Sequence, residues 1–180
     1  MKLIRSILGF ILLLFTLSGY SQTKFVRNDS GAQLTSQADI INKYSKLLDV
    51  PPDSITNIKL YTLIEQYSFA PYKFGGNDAS GVDCSGFSCI IEKQIFGVTI
   101  PRSTSSQGKT VQSKSISQLK EGDLVFLKLG GNAINHVGVY LQNGYFVHAT
   151  SNLGIILDNV NDPDTQQRFM ACGSVPSAIK

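Results

Sequence analysis

The sequence predicts an α+β fold, with helices leading and a small antiparallel sheet following. Two observations carry this. In the first third, apolar residues recur at helical spacing, as in Ile40, Ile41, Tyr44, Leu47 and Leu48. From Leu124 onward, short runs of period two alternate with turn residues. The size of the chain, 180 residues, fits one domain with one hydrophobic core.

Lys2 and Arg5 precede an eleven-residue apolar run from Ile7 to Leu17, followed by Ser18, Gly19 and Ser21. That is the pattern of a secretory signal peptide. A helix crossing a bilayer wants about 20 apolar residues, so cleavage after Ser21 is expected rather than stable membrane insertion. No cysteine lies near the junction to carry a lipid. The expected product is an exported monomer, periplasmic or secreted. Its segment 22–57 carries one helix, and residues 58–180 form the main domain. Removing Lys2 and Arg5 from 16 basic residues leaves 14 against 13 acidic ones, a net of +1. With no basic stripe and no run of like charge, nucleic acid is excluded as a partner.

Asn28 to Gln37 is polar and reads as a loose segment. Ser36 followed by Asp39 marks a helix start, and Pro51-Pro52 ends that helix. A second helix begins near Ser54 to Thr56, with Leu60, Tyr61, Ile64 and Tyr67 on its inner side. A glycine-punctuated loop from Pro71 to Gly86 then leads into a compact apolar helix ended by Gly97, with Cys84 in its first turn. A short polar helix from about Thr104 to Val111 comes next. The strands are Leu124–Leu127, His136–Leu141, Tyr145–Ala149 and Gly154–Leu157.

An exported protein normally pairs its cysteines, yet this chain has three, Cys84, Cys89 and Cys172. At least one stays free within a monomer, which flags a reactive thiol. Cys89 reads as a small buried hydrophobe. A thiol attacks a carbonyl only as thiolate, and a helix N-terminus or a neighbouring imidazolium favours that form. Cys84 is placed for both, with Asp83 as cap and Gly86 allowing close backbone approach.

A base is the second ingredient, and the only histidines are His136 and His148, twelve residues apart on successive strands. Side chains alternate across a strand, so the turn between them decides whether the rings share a face. A two-residue turn at Asn143-Gly144 sends them to opposite faces. A three-residue loop, Gln142 to Gly144, pairs 141 with 145 and 138 with 148, and both rings then point the same way. The three-residue register is therefore expected, with His136 as base and His148 bonded to its far ring nitrogen, fixing its tautomer. One cysteine and two histidines could instead bind zinc, but a structural site wants four ligands with paired spacing, which is missing. No metal or cofactor is expected. A purely structural thiol is the remaining alternative.

Three blocks in order, Asp83-Cys84-Ser85-Gly86-Phe87, Asn135-His136-Val137-Gly138-Val139-Tyr140 and Phe146-Val147-His148-Ala149, resemble the motifs of the NlpC-type cell-wall cysteine peptidases. Pro71 to Gly76, Pro101 to Thr104 with Gln107, and Gly122 to Phe126 extend the resemblance from about Leu60 to Val175. It implies a papain-like core and hydrolysis of peptidoglycan stem peptides between D-glutamate and a diamino acid such as diaminopimelate. An amidase or acyltransferase on a similar γ-glutamyl amide, or a wall-binding protein without catalysis, are the alternatives. Carried over, Cys84 is the nucleophile, His136 the base and His148 the third member. Tyr72 offers its hydroxyl to the oxyanion, together with the Cys84 backbone N–H. Asp83 and Ser85 resemble positions that hold the free amine of a stem, and Arg102 could pair with a substrate carboxylate. Gln107 and Asp123 read as structural. Many members carry a wall-binding module before the catalytic domain, and the segment 22–57 is too short for one.

Overall fold

The computed structural model describes residues 24–26 and 36–176. The expected signal peptide and most of the polar stretch after Asn28 lie outside the described residues. Among the described residues, no helix is long and apolar enough to cross a membrane.

After a two-residue strand, β1 (Lys24–Phe25), come α1 (Gln37–Leu48) and α2 (Ile58–Tyr67). Their starts follow the chemistry of helix ends, where orphan N–H groups need acceptors. The Ser36 hydroxyl accepts the Asp39 N–H, and the Asn57 side chain accepts that of Leu60. The helices pack through Tyr44 and Tyr61, whose ring centroids lie 4.8 Å apart. An ion pair, Lys43 Nζ to Glu65 Oε2 at 2.6 Å, closes the seam. Burying each of these tyrosine rings contributes about 2–3 kcal/mol. Because Ile40, Tyr44 and Leu48 belong to the main core, α1 is packed into the same body as the rest.

A small hairpin, β2 (Asn77–Asp78) with β3 (Gly81–Val82), precedes α3 (Cys84–Ile91). α3 runs on into one π-helical turn, Glu92–Phe96, and stops at Gly97 in the left-handed conformation, φ 72°. Next come α4 (Thr104–Gly108) and β4 (Gln112–Ser113). The sheet strands are β5 (Leu124–Leu127), β6 (His136–Tyr140), β7 (Tyr145–Thr150) and β8 (Gly154–Asn159), followed by α5 (Pro163–Arg168) and β9 (Phe169–Ser174). The sheet order is β1-β8-β7-β6-β5-β9-β4. Every adjacent pair is antiparallel.

The four strands expected from the sequence form the centre of this sheet, so the α+β assignment stands. Its flanks did not announce themselves. β1 and β4 are two residues long, and β9 (FMACGS) lacks clean alternation. Val137, Val139, Val147, Ala149 and Leu157 face the core shared with α1, α2 and α3. Val125, Leu127, Phe146, Val160 and Cys172 form a smaller cluster on the other side. All three cysteines are free thiols. Cys89 is only partly buried, with its sulfur against the Ile100 and Pro101 carbonyls.

One buried charge stands out in this scaffold. Glu92, at the α3 end, is 2 % exposed. Burial, and then the charge of Asp123, push its carboxyl pKa from 4.5 up to about 8. Between those pH values the unfolded chain has released this proton and the folded chain keeps it, so stability falls as pH rises across the window. At pH 7 the penalty is roughly 3 kcal/mol. Glu92→Gln is therefore expected to melt above the native protein at pH 8, with the gap closing toward pH 4.5. Thermal melts of both proteins across that range check this, and a gap independent of pH contradicts it.

Candidate active site

The site grows from the first turn of α3. Asp83, in extended backbone just before it, accepts the Gly86 N–H at 2.7 Å and reaches back to accept the Gly75 N–H at 2.7 Å. Arg102 grips the same carboxylate with both guanidinium nitrogens, at 2.8 and 3.0 Å. It also donates to Ser85 Oγ and the Gly76 carbonyl, each at 2.8 Å. Burial works to raise the Asp83 pKa, but the Arg102 and backbone hydrogen bonds outweigh it and hold the carboxyl below its ordinary value. In this structure Asp83, Ser85 and Arg102 are thus bonded to one another. The fork expected to meet a substrate carboxylate is closed on Asp83.

Asp83 fixes where the helix begins, and so places Cys84 at its first position. The thiol is 7 % exposed. Its side-chain partner is Thr104 Oγ1, 3.7 Å from Sγ, rather than His136. Burial pushes the Cys84 pKa up, and the Thr104 hydroxyl and the N–H groups of Val137 and Ser85 only partly oppose it. The sequence led us to expect a thiol activated at rest. Here desolvation of the sulfur wins over the helix terminus.

The hairpin between β6 and β7 sets the histidines. Val139 pairs with Val147 and Tyr140 with Phe146, the register that puts 141 opposite 145. Asn143 and Gly144 both take positive φ, 50° and 84°. The Tyr145 N–H closes this tight turn on the Gln142 carbonyl, while Leu141 N–H bonds Tyr145 O. Leu141 and Gln142 together therefore face Tyr145. The expected register arises from an Asn-Gly turn plus a one-residue bulge, not from a loop with a single left-handed glycine.

The two rings consequently share a face. His136 Nε2 lies 2.7 Å from His148 Nδ1, with the rings 79° apart. Phe146 lies against His148, centroids 4.9 Å apart. Both histidines are 4 % exposed. Burial, followed by the proximity of His148, drives the His136 pKa down to about 3, with the Asp158 charge opposing. At neutral pH the resting pair is thus a neutral imidazole beside a protonated thiol. His148 occupies His136 Nε2, and Nδ1 is the ring nitrogen outside that bond.

Cys84, His136 and Tyr72 line one cavity of about 210 Å³, with Asn135, Ala149 and Thr150. Tyr72 bridges to Val82 through its backbone. Burial, then the charges of Cys84 and Asp83, push its phenol pKa up, so the hydroxyl keeps its proton and can donate. Gln107 is fully buried and donates to the Ser85 and Pro101 carbonyls, and Asp123 is held by Lys114 and the Lys120 N–H. Both do structural work.

Three residues near the site were not singled out from the sequence. Thr104 sits in a quoted block but carried no role, because a hydroxyl twenty residues from the thiol gives no periodic signal. Asn135 closes the loop before His136 by bonding both backbone groups of Leu129. Asp158 lies 3.1 Å from His148 Nε2. It marked only the end of the last apolar run. Its parity with Ile156, the residue opposite His148, was the available clue.

The NlpC/P60 family model matches residues 70–174. Over 98 residues the chain is 40 % identical to an Escherichia coli (strain K12) protein named murein DD-endopeptidase MepS/murein LD-carboxypeptidase, covering 54 % of this chain and 52 % of that one. It is 35 % identical over 119 residues to the probable endopeptidase NlpC of the same strain, covering 65 % and 77 %. Among solved structures, the NlpC/p60 domain of the peptidoglycan hydrolase SagA superposes with a TM-score of 0.55 at 28 % identity, covering 67 % of this chain and all of that domain. The chain spans about half the length of the first curated relatives it matches.

Proposed function

The chain belongs to the NlpC/P60 family, and from that premise we propose that it is an exported cysteine endopeptidase that hydrolyses peptidoglycan stem peptides. The observation that carries this reading is the 2.7 Å bond from His148 to His136, the ring that shares one cavity with Cys84. A structural thiol gives no reason for a buried imidazole in its cavity to be coupled to a second one behind it.

In the proposed reaction a stem carbonyl enters that cavity and the Cys84 thiol turns from Thr104 toward His136. The proton passes from sulfur to His136 Nδ1 as the S–C bond forms. The oxyanion is met by the Tyr72 hydroxyl and the Cys84 N–H. The His136 imidazolium then gives its proton to the leaving amine, and an acyl thioester remains. Water, deprotonated by His136, releases the acid and restores the thiol. Because both resting groups are neutral, the bound substrate must exclude water and align them before transfer.

The bond proposed is that between D-glutamate and the diamino acid. The resemblance to a relative named as a DD-endopeptidase supports a second reading, cleavage within cross-links. Mass spectrometry of fragments released from defined muropeptides separates them. New D-glutamate termini fit the first reading, and loss of cross-linked dimers without them fits the second. Transfer of the acyl group to an added amine, with no hydrolysis, overturns both.

A further inference from the structure

We propose that Asp158 is a positioning residue for the histidine pair, its carboxylate holding His148 in the Nε2–H form so that His136 Nδ1 is left free to accept the thiol proton. The inference rests on reading Cys84 and His136 as nucleophile and base.

The argument is one of proton parity. The bond between His136 Nε2 and His148 Nδ1 contains one proton, which either ring can own. If His148 owns it, His136 Nε2 is the acceptor, and neutral His136 must carry its proton on Nδ1. It then cannot receive another from the thiol. If His136 owns it, Nδ1 is a lone pair and the base is ready, but His148 must then carry its own proton on Nε2. The ring-to-ring bond is indifferent between these arrangements. What distinguishes them is the group facing His148 Nε2.

That group is a carboxylate. Asp158 Oδ2 approaches Nε2 to 3.1 Å, and the Asp158 side chain is 17 % exposed. The approach is too bent for a straight hydrogen bond, and among the described residues Nε2 has no other hydrogen-bonding partner. The terminal torsion of an aspartate is broad, so alignment needs no backbone movement. An ionised carboxylate accepts only, so it selects the Nε2–H form of His148 and thereby the productive form of His136. When the thiol S–H bond breaks and the Nδ1–H bond forms, the new positive charge is spread over a pair facing Asp158, which stays ionised.

The strand register makes this placement. Ile156 is opposite His148 and Asp158 is two residues on, a diagonal neighbour on the same face. His148 and Asp158 also line a second cavity of about 260 Å³, with Thr165 and Arg168 from α5. The charged or titratable groups around the pair are thus Asp158 on β8, Arg168 on α5, Cys84 on α3 and Tyr72 before β2.

Nitrogen-15 spectra of the unreacted, histidine-labelled native protein read the tautomers directly, without substrate. Nε2–H on both rings is expected, and Nδ1–H on His136 overturns the proposal whether or not the enzyme cuts peptidoglycan. With a muropeptide substrate, Asp158→Asn is expected to lower kcat by roughly 10²-fold at nearly constant KM. Reversing the tautomer with an amide costs about 10⁴ where the carboxylate touches the base itself, and here it acts one ring away. The acid limb of kcat/KM should move to lower pH by about one unit, as removal of a nearby negative charge makes the pair harder to protonate. Asp158→Glu should recover part of kcat. A folded Asp158→Asn protein with native kcat and an unmoved acid limb contradicts the assignment. If neither protein cuts, the failure is that of the proposed reaction, and the tautomer spectra still decide this one.

Discussion

Replacing His136 with alanine is expected to leave a folded protein whose stem-peptide hydrolysis falls by at least about 10³-fold. The expectation follows from how both partners are held at rest. Burial raises the pKa of the Cys84 thiol, so little thiolate exists at neutral pH without a base to take its proton. His136 is the histidine that shares the thiol's cavity, and its Nε2 is already engaged by His148. In the proposed reaction the same ring protonates the leaving amine and deprotonates the incoming water, so its loss impairs both halves of the reaction. His148→Ala should be milder, roughly 10²-fold, because it removes orientation and tautomer control but not the base. Steady-state rates on one muropeptide, with melting curves for each variant, test the order. Equal losses from both, or a His136→Ala protein within tenfold of native, contradict it.

Gly86→Ala carries the largest expected change in stability. In an ordinary helix this substitution is favourable by up to about 1 kcal/mol. Here a Cβ at 86 would overlap the Gly76 carbonyl oxygen and come within 2.9 Å of Arg102 Nη2 and 3.1 Å of Asp83 Oδ1. The backbone oxygen cannot yield without dragging the loop that supplies Gly75 and Gly76, and Arg102 cannot yield without leaving the buried Asp83 carboxylate short of its counter-charge. Overpacking of this kind costs about 2–3 kcal/mol, and loosening the ion pair, half-exposed on its Arg102 side, adds a smaller amount. The melting temperature should fall by roughly 6–10 °C, with activity falling alongside because Asp83 and Cys84 share the displaced turn. A melting temperature equal to or above the native value contradicts the account.

The chain announces its site more clearly than its frame. Cys84 was legible because a helix start, an odd cysteine and a glycine at a tight approach coincide in four residues. The facing of His136 and His148 was legible because strand parity makes a one-residue change of loop length an all-or-none matter. What the sequence could not give was the means. The register comes from Asn143 and Gly144 both turning left-handed and from a bulge at Leu141 and Gln142, and a bulge leaves no compositional trace. The capping role of Asp83 is visible in the sequence, whereas its bidentate pairing with Arg102 is not, because that depends on loops nineteen residues apart. The state of the thiol was misjudged for a related reason. A helix terminus is visible in sequence, but burial of the sulfur is not, and burial is the larger effect here. β9 and α5 went unrecognised because neither shows a period long enough to register.

The central claim is that Cys84 attacks peptidoglycan stem amides. Native protein and Cys84→Ala, each confirmed as folded, are incubated with purified sacculi, and the soluble fragments are separated and weighed by mass spectrometry. The account predicts stem-peptide fragments with newly formed termini from the native protein and none above background from Cys84→Ala. Equal release from the two proteins, or none from the native protein, would contradict it.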